Sequence, residues 1–484
     1  MTSQHQKTSD VLNWFEQISQ FPRCSGNEAG IRNWLVNWAK QYPFPTKTDS
    51  VGNLLIKVPA SPGYENAPIV ILQAHLDMVC EKTPDSDHDF TKDPIQFIYD
   101  GDWLTADRTT LGADNGIGVA MAMALAADKD IAHPPLELLF TVDEESGLVG
   151  ASALEPTFVE GKILINIDSE DDGCFIIGCA GGLNTHICVP LEGAKIATDS
   201  VQALKIKAGG MKGGHSGVNI NTQRANAIKI LVRTLHIIKQ QVAIRLTHFS
   251  GGTAHNAIPR NSEALLIVSK NDIETVKTNV LEAEKIFQAE YQKTEPELFL
   301  KVEAGGETPN RAITLDDTNN VIDFLTVLPH GVAAMSTDIE GLVETSNNIA
   351  NVSIENGQLK VLTSQRSSVE SRLEALTDQI EAAARLIGAE VDSDTHYPAW
   401  QPNMKSPLLA KSRLIYQQLF EKESTIAALH AGLEAGIIGQ KIPGMDMISL
   451  GPTMQNAHSP DERVHIGTIG KLWDFMVALL KELK

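Results

Sequence analysis

The chain has 484 residues, 42% of them hydrophobic, enough for two or three domains with sizeable cores and too many for a disordered chain. With 61 acidic side chains against 40 basic ones the formal net charge is -21, so most of the surface repels nucleic acid and anionic membranes. The same excess of carboxylate fits a protein that holds cations.

Residues 1–10 are polar and lack an apolar core followed by a small-residue cleavage site, so no secretory signal is expected. No apolar segment approaches the roughly 20 residues that span a bilayer, and the expected location is cytoplasmic. Cys24, Cys80, Cys174, Cys179 and Cys188 are odd in number and have no disulfide-framework spacing. They predict a reducing compartment, with Cys174 and Cys179 as core thiols.

Val11, Leu12, Trp14, Phe15 and Ile18, then Ile31, Trp34, Leu35 and Trp38, recur at near-helical spacing and predict two amphipathic helices over 9–21 and 27–40. Residues 51–59 read as a strand, and the turn-rich Ser61-Pro62-Gly63-Tyr64 leads into the apolar run 68–79. That run predicts a strand buried on both faces. It ends in His75 and Asp77, at the carboxyl end where open α/β sheets place their chemistry. Residues 81–100 are acidic and aperiodic. Asp85, Asp87, His88 and Asp89 there are metal-binding types, but such a run of like charges is expected to be a solvated loop.

Residues 111–119 predict a glycine turn feeding an alanine-rich helix, with Asp114 near its start, where an aspartate can also serve simply as an N-cap. The apolar runs 136–142 and 163–167 predict two more buried strands, ending in Asp143-Glu144-Glu145 and in Asp168. From about residue 189 the pattern changes, and residues 203–208 alternate with period two, as in a strand with one wet face. Helices are predicted at 221–240 and 272–292, with strands near 243–249, 263–268 and 298–302. A similar order recurs as helix 319–328, strands 348–355 and 358–364, and helix 368–387, so element order predicts a duplicated α+β unit. The pattern breaks near 391–402, a helix resumes over 407–421, and residues 445–452 form a strand and turn leading to His458. Residues 469–483 close the chain as an amphipathic helix.

His75, Asp77, Asp114, Glu144, Glu145, Asp168 and His458 thus gather at strand ends and turns. Imidazole and carboxylate together suit zinc, manganese or cobalt, and the absence of cysteine favours an open catalytic site over a closed structural one. Carboxylates crowded without a cation would raise one another's pKa and destabilise the fold, and two metals sharing one carboxylate would relieve that repulsion.

His75-Leu76-Asp77, Gly112-Ala113-Asp114-Asn115-Gly116, Asp143-Glu144-Glu145, Asn166-Ile167-Asp168-Ser169-Glu170, Gly213-Gly214-His215-Ser216-Gly217 and the late His458 resemble the M20 metallopeptidases over nearly the whole chain. Within that group the chain is most similar to the bacterial aminoacyl-histidine dipeptidases, whose long central segment it shares. Each motif is weak alone, and six in this order are specific.

The resemblance implies an α/β fold: a catalytic α/β/α domain with a zinc-peptidase-like mixed sheet, interrupted by an inserted α+β lid domain of duplicated ferredoxin-like units. The implied boundaries are 1–188 for the first part of the catalytic domain, 189–397 for the lid and dimerisation domain, and 398–484 for the second catalytic part. It implies two divalent metal ions, zinc first with cobalt or manganese as alternatives. His75, Asp114 and Asp168 would ligate one, and Asp114, Glu145 and His458 the other. Asp77 would orient His75, and Glu144 would be the general base, a role that an unligated carboxylate beside an activated water suits on chemical grounds as well.

His215 resembles the family's lid histidine, which donates to the carbonyl oxygen. His255 competes for that role, and the sequence does not rank the two. Asn256 and Arg366 match positions that hold the substrate backbone and its carboxylate, Arg366 through its planar fork. An exposed Arg366 in a surface ion pair is the alternative. The expected activity is hydrolysis of dipeptides, Xaa-His and β-alanyl-histidine among them, by a homodimer with no nucleic-acid or membrane partner. A related aminopeptidase, carboxypeptidase or N-acyl amino acid deacylase, or a non-catalytic metal-binding interaction protein, remains as a rival.

Overall fold

The computed structural model describes residues 6–394 and 397–484. The first five residues of the polar start, and Thr395 and His396 within the expected break at 391–402, lie outside the described residues. The chain forms two compact units: Met1–Cys179 with Trp400–Ala428 and Leu433–Lys484, and Ala180–Ala399 with Leu429–Gly432.

The first unit is built on an eight-stranded mixed sheet. At its centre Leu136–Thr141, Val70–His75, Ile163–Asn166 and Asp446–Ser449 lie side by side and parallel. Every residue of Val70–His75 and Leu136–Thr141 is buried, the outcome expected of continuous apolar runs covered on both faces. The fourth of these strands comes from the far end of the chain, so this sheet is completed only after the intervening unit has been traversed.

Helix Gln6–Ile18 packs on helix Ala113–Ala127, which in turn packs on the central strand. Most residues that set the helical spacing are buried, Val11, Leu12, Phe15 and Ile18 in the first helix and Ile31, Leu35 and Trp38 in Ala29–Gln41, while Trp14 and Trp34 are half-buried. Residues 81–100 end in the strand Phe97–Asp100 rather than remaining a loop throughout. That strand pairs with Trp103–Ala106 in a small antiparallel sheet that also takes Arg463–His465 and Met454–Gln455. The hairpin between the last two strands carries His458.

The expectation of unpaired cysteines is corrected at Cys24 and Cys80, which form a disulfide across a sequence separation of 56. Cys24 makes a parallel backbone bridge to Met78 just past the central strand, and this brings the Cα atoms of the two cysteines to 5.7 Å. Spacing carries no signal of it because the contact is made by tertiary pairing. Cys174, Cys179 and Cys188 are free, with Cys179 fully buried.

The second unit has one nine-stranded antiparallel sheet, made of two four-stranded halves with the same order and of Gly331–Met335, which pairs with Val343–Glu355 beside them. In the first, strand Val201–Gly209, helix Ala227–Lys239, strands Arg245–Gly251 and Ser262–Ser269, helix Ile273–Glu290 and strand Phe299–Ala304 follow a βαββαβ path, the ferredoxin-like arrangement. The second runs through Gly181–Pro190, helix Leu315–Val327, Val343–Glu355, Gln358–Ser367, helix Glu370–Leu386 and Glu390–Ser393, and its strands take the same spatial order. The halves join where Arg245–Gly251 pairs with Val343–Glu355.

The duplication is therefore real, but the second copy starts before the first, with its opening strand at 181–190. Helix 221–240 also begins later than its apolar pattern indicates. The Asn226 side chain accepts the Ile228 and Lys229 N–H groups and fixes the helix start at Ala227.

One close approach near the sheet's carboxyl end requires glycine. A Cβ on Gly118 would overlap the Ile167 carbonyl and the Asn115 side chain. In an open helix position Gly→Ala stabilises by about 1 kcal/mol. Here Gly118→Ala should instead destabilise by about 1–3 kcal/mol, read as a lowered urea midpoint at constant slope. A raised midpoint would contradict the packing.

Candidate active site

Three parallel strands deliver their following residues to one edge. His75 closes the central strand, Glu144 and Glu145 follow Leu136–Thr141, and Asp168 follows Ile163–Asn166. His75 Nε2 lies 3.0 Å from Asp114 Oδ1 and 3.4 Å from Asp168 Oδ1. His458 Nε2 lies 3.1 Å from Asp114 Oδ2 and 3.1 Å from Glu145 Oε2. One oxygen of Asp114 thus faces each histidine.

Two ligands of a tetrahedral zinc, each bonded at its usual length, stand about 3.3 Å apart, so this spacing fits a cation between each histidine and its carboxylates. Ligand atoms of His75, Asp114 and Glu145 lie within 4.8 Å of one another. Glu145 Oε1 is buried with no hydrogen-bond partner among the described residues, a donor atom left for such an ion. The acidic stretch at Asp85, Asp87, His88 and Asp89 forms no comparable group among the described residues.

Asp77 is fully buried behind His75. Its Oδ1 is 3.4 Å from His75 Nδ1 and accepts the Glu144 N–H at 3.0 Å, while its Oδ2 accepts the Glu145 N–H at 3.1 Å and the Ser25 hydroxyl at 2.7 Å. A single carboxylate therefore sets both the imidazole and the turn carrying the two glutamates. The Glu144 side chain accepts no hydrogen bond and pairs with no cation among the described residues.

Three supporting residues had no sequence signal of their own. Glu462 accepts four backbone N–H groups, from Leu111 (2.8 Å), Gly112 (2.9 Å), Ala113 (2.8 Å) and Asp114 (3.2 Å). It thereby clamps the turn that presents Asp114, from the same hairpin that carries His458. Arg23, fully buried, donates to the Leu76 and Asp77 carbonyls at 3.1 and 2.9 Å and to the Gly112 carbonyl. Glu28 accepts the N–H of Asp143, whose φ of 53° lies in the left-handed region. A lone Arg or Glu in a polar turn is commonplace, and only the position of Glu462 four residues beyond His458 could have drawn attention.

The charges reflect the crowding. Burial opposes protonation of His75, but the Asp168 charge and hydrogen bonds to Asp114 and Asp168 raise it well above the ordinary imidazole value. Hydrogen bonds to Asp114 and Glu145 push His458 up to about 11. Burial, then the charges of Asp168, Glu434 and Glu145, raise Glu144 well above the carboxylate range. Burial and the Asp114 charge raise Asp168 to about 6. Asp77 and Asp114 are lowered: burial works against this, and bonds to His75, joined by His458 at Asp114, outweigh it.

In the second unit, His215 lies in a short strand paired with Ala257–Ile258, and the Asn256 carbonyl accepts the Ser216 N–H at 2.8 Å. His215 Nδ1 accepts the N–H groups of Gly217 and Val218, both at 3.1 Å. That leaves the proton on Nε2, a donor. Burial, Arg366 and His255 lower the His215 pKa and keep the ring neutral. His255 and Asn256 are exposed.

Arg366 is buried rather than exposed. One guanidinium N–H donates to the Tyr397 hydroxyl at 2.6 Å, and its Nε has no partner among the described residues. His430, which sequence reasoning passed over, is 2.7 Å from the Ser346 hydroxyl and is pushed down to about 3 by burial and by Arg366.

Two histidines and two further carboxylates gathered around one shared aspartate, at the carboxyl edge of a parallel sheet, define a metal-dependent hydrolase. The chain belongs to peptidase family M20/M25/M40, whose family model matches residues 71–482. It is 39% identical over 469 residues to the cytosol non-specific dipeptidase of Escherichia coli (strain K12), covering 97% of this chain and 96% of that one. The crystal structure of aminoacylhistidine dipeptidase from Vibrio alginolyticus superposes with a TM-score of 0.91 at 37% identity, over 99% of this chain and 97% of that one. Aminopeptidase PepT from Bacillus cereus shares the fold at a TM-score of 0.58 and 16% identity, covering 98% of each chain. No helix among the described residues is long and apolar enough to cross a membrane.

The raised groups make stability depend on metal and pH together. Asp168 rises from 3.8 to about 6 and His458 from 6.5 to about 11, so each contributes stability that is complete below its ordinary value. In the chelated protein that stability is lost as the pH climbs, across 3.8 to about 6 for Asp168 and 6.5 to about 11 for His458. A divalent cation takes the place of these protons. The rise in Tm on adding zinc to chelated protein should therefore be larger near pH 8 than near pH 5. Equal rises would contradict the coupling.

Proposed function

We propose that this chain hydrolyses dipeptides, Xaa-His substrates including β-alanyl-histidine among them, with two divalent metals held by its first unit. The observation that carries the reading is the division of Asp114 between His75 and His458, with the unengaged Glu144 beside it. His75, Asp114 and Asp168 would hold one ion, and Asp114, Glu145 and His458 the other. When bound, the two cations lower the pKa of a water and polarise the scissile carbonyl.

Glu144 takes the proton of the attacking water on its free carboxylate and passes it to the leaving amine. Asp77 keeps His75 Nδ1 engaged, which leaves Nε2 facing Asp114 and Asp168 where an ion would be held, and it fixes the Glu144–Glu145 turn through the two backbone N–H groups. In the second unit, the Nε2–H of His215 is a neutral donor suited to a carbonyl oxygen that gains charge. Its held tautomer favours it over the exposed His255 for that role. The Arg366 guanidinium, buried and without a carboxylate partner among the described residues, suits the free carboxylate of a short peptide, and Asn256 suits its backbone.

Zinc is the metal proposed, with cobalt or manganese as the alternatives that elemental analysis would reveal. A homodimer and a cytoplasmic location belong to the same proposal. The names of the Escherichia coli and Vibrio alginolyticus relatives support the dipeptide substrate, and the former name supports the location.

Turnover of β-alanyl-histidine and other Xaa-His dipeptides, measured beside tripeptides and N-acetyl amino acids, tests the substrate class. Preference for an acylated amino acid would identify a deacylase instead. Glu144→Ala should keep both metals and lose about 10²–10⁴-fold in kcat, and near-parental turnover would remove Glu144 from the reaction. Asp114→Ala should bind neither metal tightly, and two retained ions in elemental analysis would disprove the bridge.

A further inference from the structure

One buried carboxyl group supplies neither a metal ligand nor a proton to the chemistry above. Glu434 opens the helix Glu434–Lys441 and is 1% exposed. Its Oε2 accepts the Gln73 side-chain N–H at 2.6 Å and the Thr141 hydroxyl at 2.7 Å. Gln73 Oε1 in turn accepts the Asn166 side-chain N–H at 2.6 Å, and the Gln73 amide also reaches the Thr141 hydroxyl at 3.2 Å. Gln73, Thr141 and Asn166 are each no more than 1% exposed.

The placement of these residues is specific. Gln73 stands two residues before His75 on the same strand and therefore faces the same side of the sheet. Thr141 is the register partner of His75, and Asn166 that of Gln73. Thr141 precedes Glu144 and Glu145 by one short turn, and Asn166 precedes Asp168 by two residues. The three strands that supply His75, the two glutamates and Asp168 are thus tied together directly behind those residues: Gln73 and Thr141 both donate to one glutamate oxygen, and Asn166 joins them through Gln73.

Replacing a buried polar cluster by well-packed hydrophobic residues of similar volume is often neutral or stabilising. Stability alone does not account for the cluster. A hydrogen-bonded lock, unlike apolar contact, fixes the axial offset of neighbouring strands, and a metal site tolerates little error in that offset.

We propose that Glu434 is a positioning residue: through Gln73, Thr141 and Asn166 it aligns the ends of the three central strands and so sets the geometry in which His75 and Asp168 receive a metal. The inference rests on the metal-site reading above and is independent of which peptide is cleaved.

The test uses the full chain and reads metal affinity by competition with a chelator of known zinc affinity, together with kcat and KM at saturating zinc. Glu434→Ala should weaken zinc binding by about 10–100-fold and lower kcat more than it changes KM. Glu434→Gln keeps an acceptor for both donors and should restore affinity to within about threefold of the parent. Where Glu434→Ala fails to fold, Gln73→Leu carries the test. It cuts the link to Asn166, leaves the Glu434–Thr141 bond in place, and should weaken zinc at least about tenfold.

Parental affinity in Glu434→Ala or in Gln73→Leu overturns the inference. So does a Glu434→Gln protein as weak as Glu434→Ala, because charge rather than hydrogen bonding would then be responsible. A parent protein that binds no zinc, cobalt or manganese overturns the metal-site reading itself, and this inference with it.

Discussion

Asp114 presents one oxygen to each of two histidines, and that sharing is the constraint on which the rest of the site depends. Three carboxylates and two imidazoles whose neighbouring ligand atoms stand 3.0–3.4 Å apart are stable only with cations or protons between them. The shifts at His458 and Asp168 are the mark of that demand when protons alone must meet it. The geometry is useful only if Asp114 cannot turn away, and the protein spends several buried groups on preventing this. Glu462 closes on four backbone N–H groups around Asp114, Arg23 holds the carbonyls on either side of the site, and Asp77 holds the opposing histidine.

Meeting the constraint also dictates the topology. A parallel sheet places the carboxyl ends of neighbouring strands together, which accounts for His75, Glu145 and Asp168. It cannot by itself bring back a histidine from near the chain's end. The small antiparallel sheet does that, pairing Arg463–His465 with Trp103–Ala106 so that the hairpin bearing His458 and Glu462 reaches the turn bearing Asp114. One hairpin therefore carries both His458 and the Glu462 clamp on the turn that presents Asp114.

Strong periodicity made most elements legible. Buried parallel strands are continuous apolar runs because both faces are covered, and the alternation at 203–208 marks a sheet with one wetter face. The errors have specific causes. The helix at 227 was expected from 221 because apolar spacing does not register a cap, and Asn226 decides the start. The second ferredoxin-like half was read from its helix onward because its first strand precedes the whole first half. The Cys24–Cys80 pair was missed because no local rule links residues joined only by a backbone bridge beyond the central strand.

By itself the sequence determined which residue types stand at the ends of which strands, since hydrophobic pattern fixes strand limits and the polar residue that follows is then exposed at an edge. That singled out His75, Glu145 and Asp168 as candidates at strand ends, with Asp114 and His458 added from their turns, and it pointed to the α/β fold class. Only the tertiary structure decided which oxygen of Asp114 faces which histidine, that Arg366 is buried, that His215 carries its proton on Nε2, that Glu462 clamps the turn at Asp114, and that Glu434 bonds Gln73 and Thr141. The His215 tautomer is set within its own turn, whereas the contacts of Asp114 with His458, of Glu462 and of Glu434 depend on register and packing between segments hundreds of residues apart. Such contacts leave no periodic trace in the chain, because any polar side chain of the right length, at the right place in space, can make them.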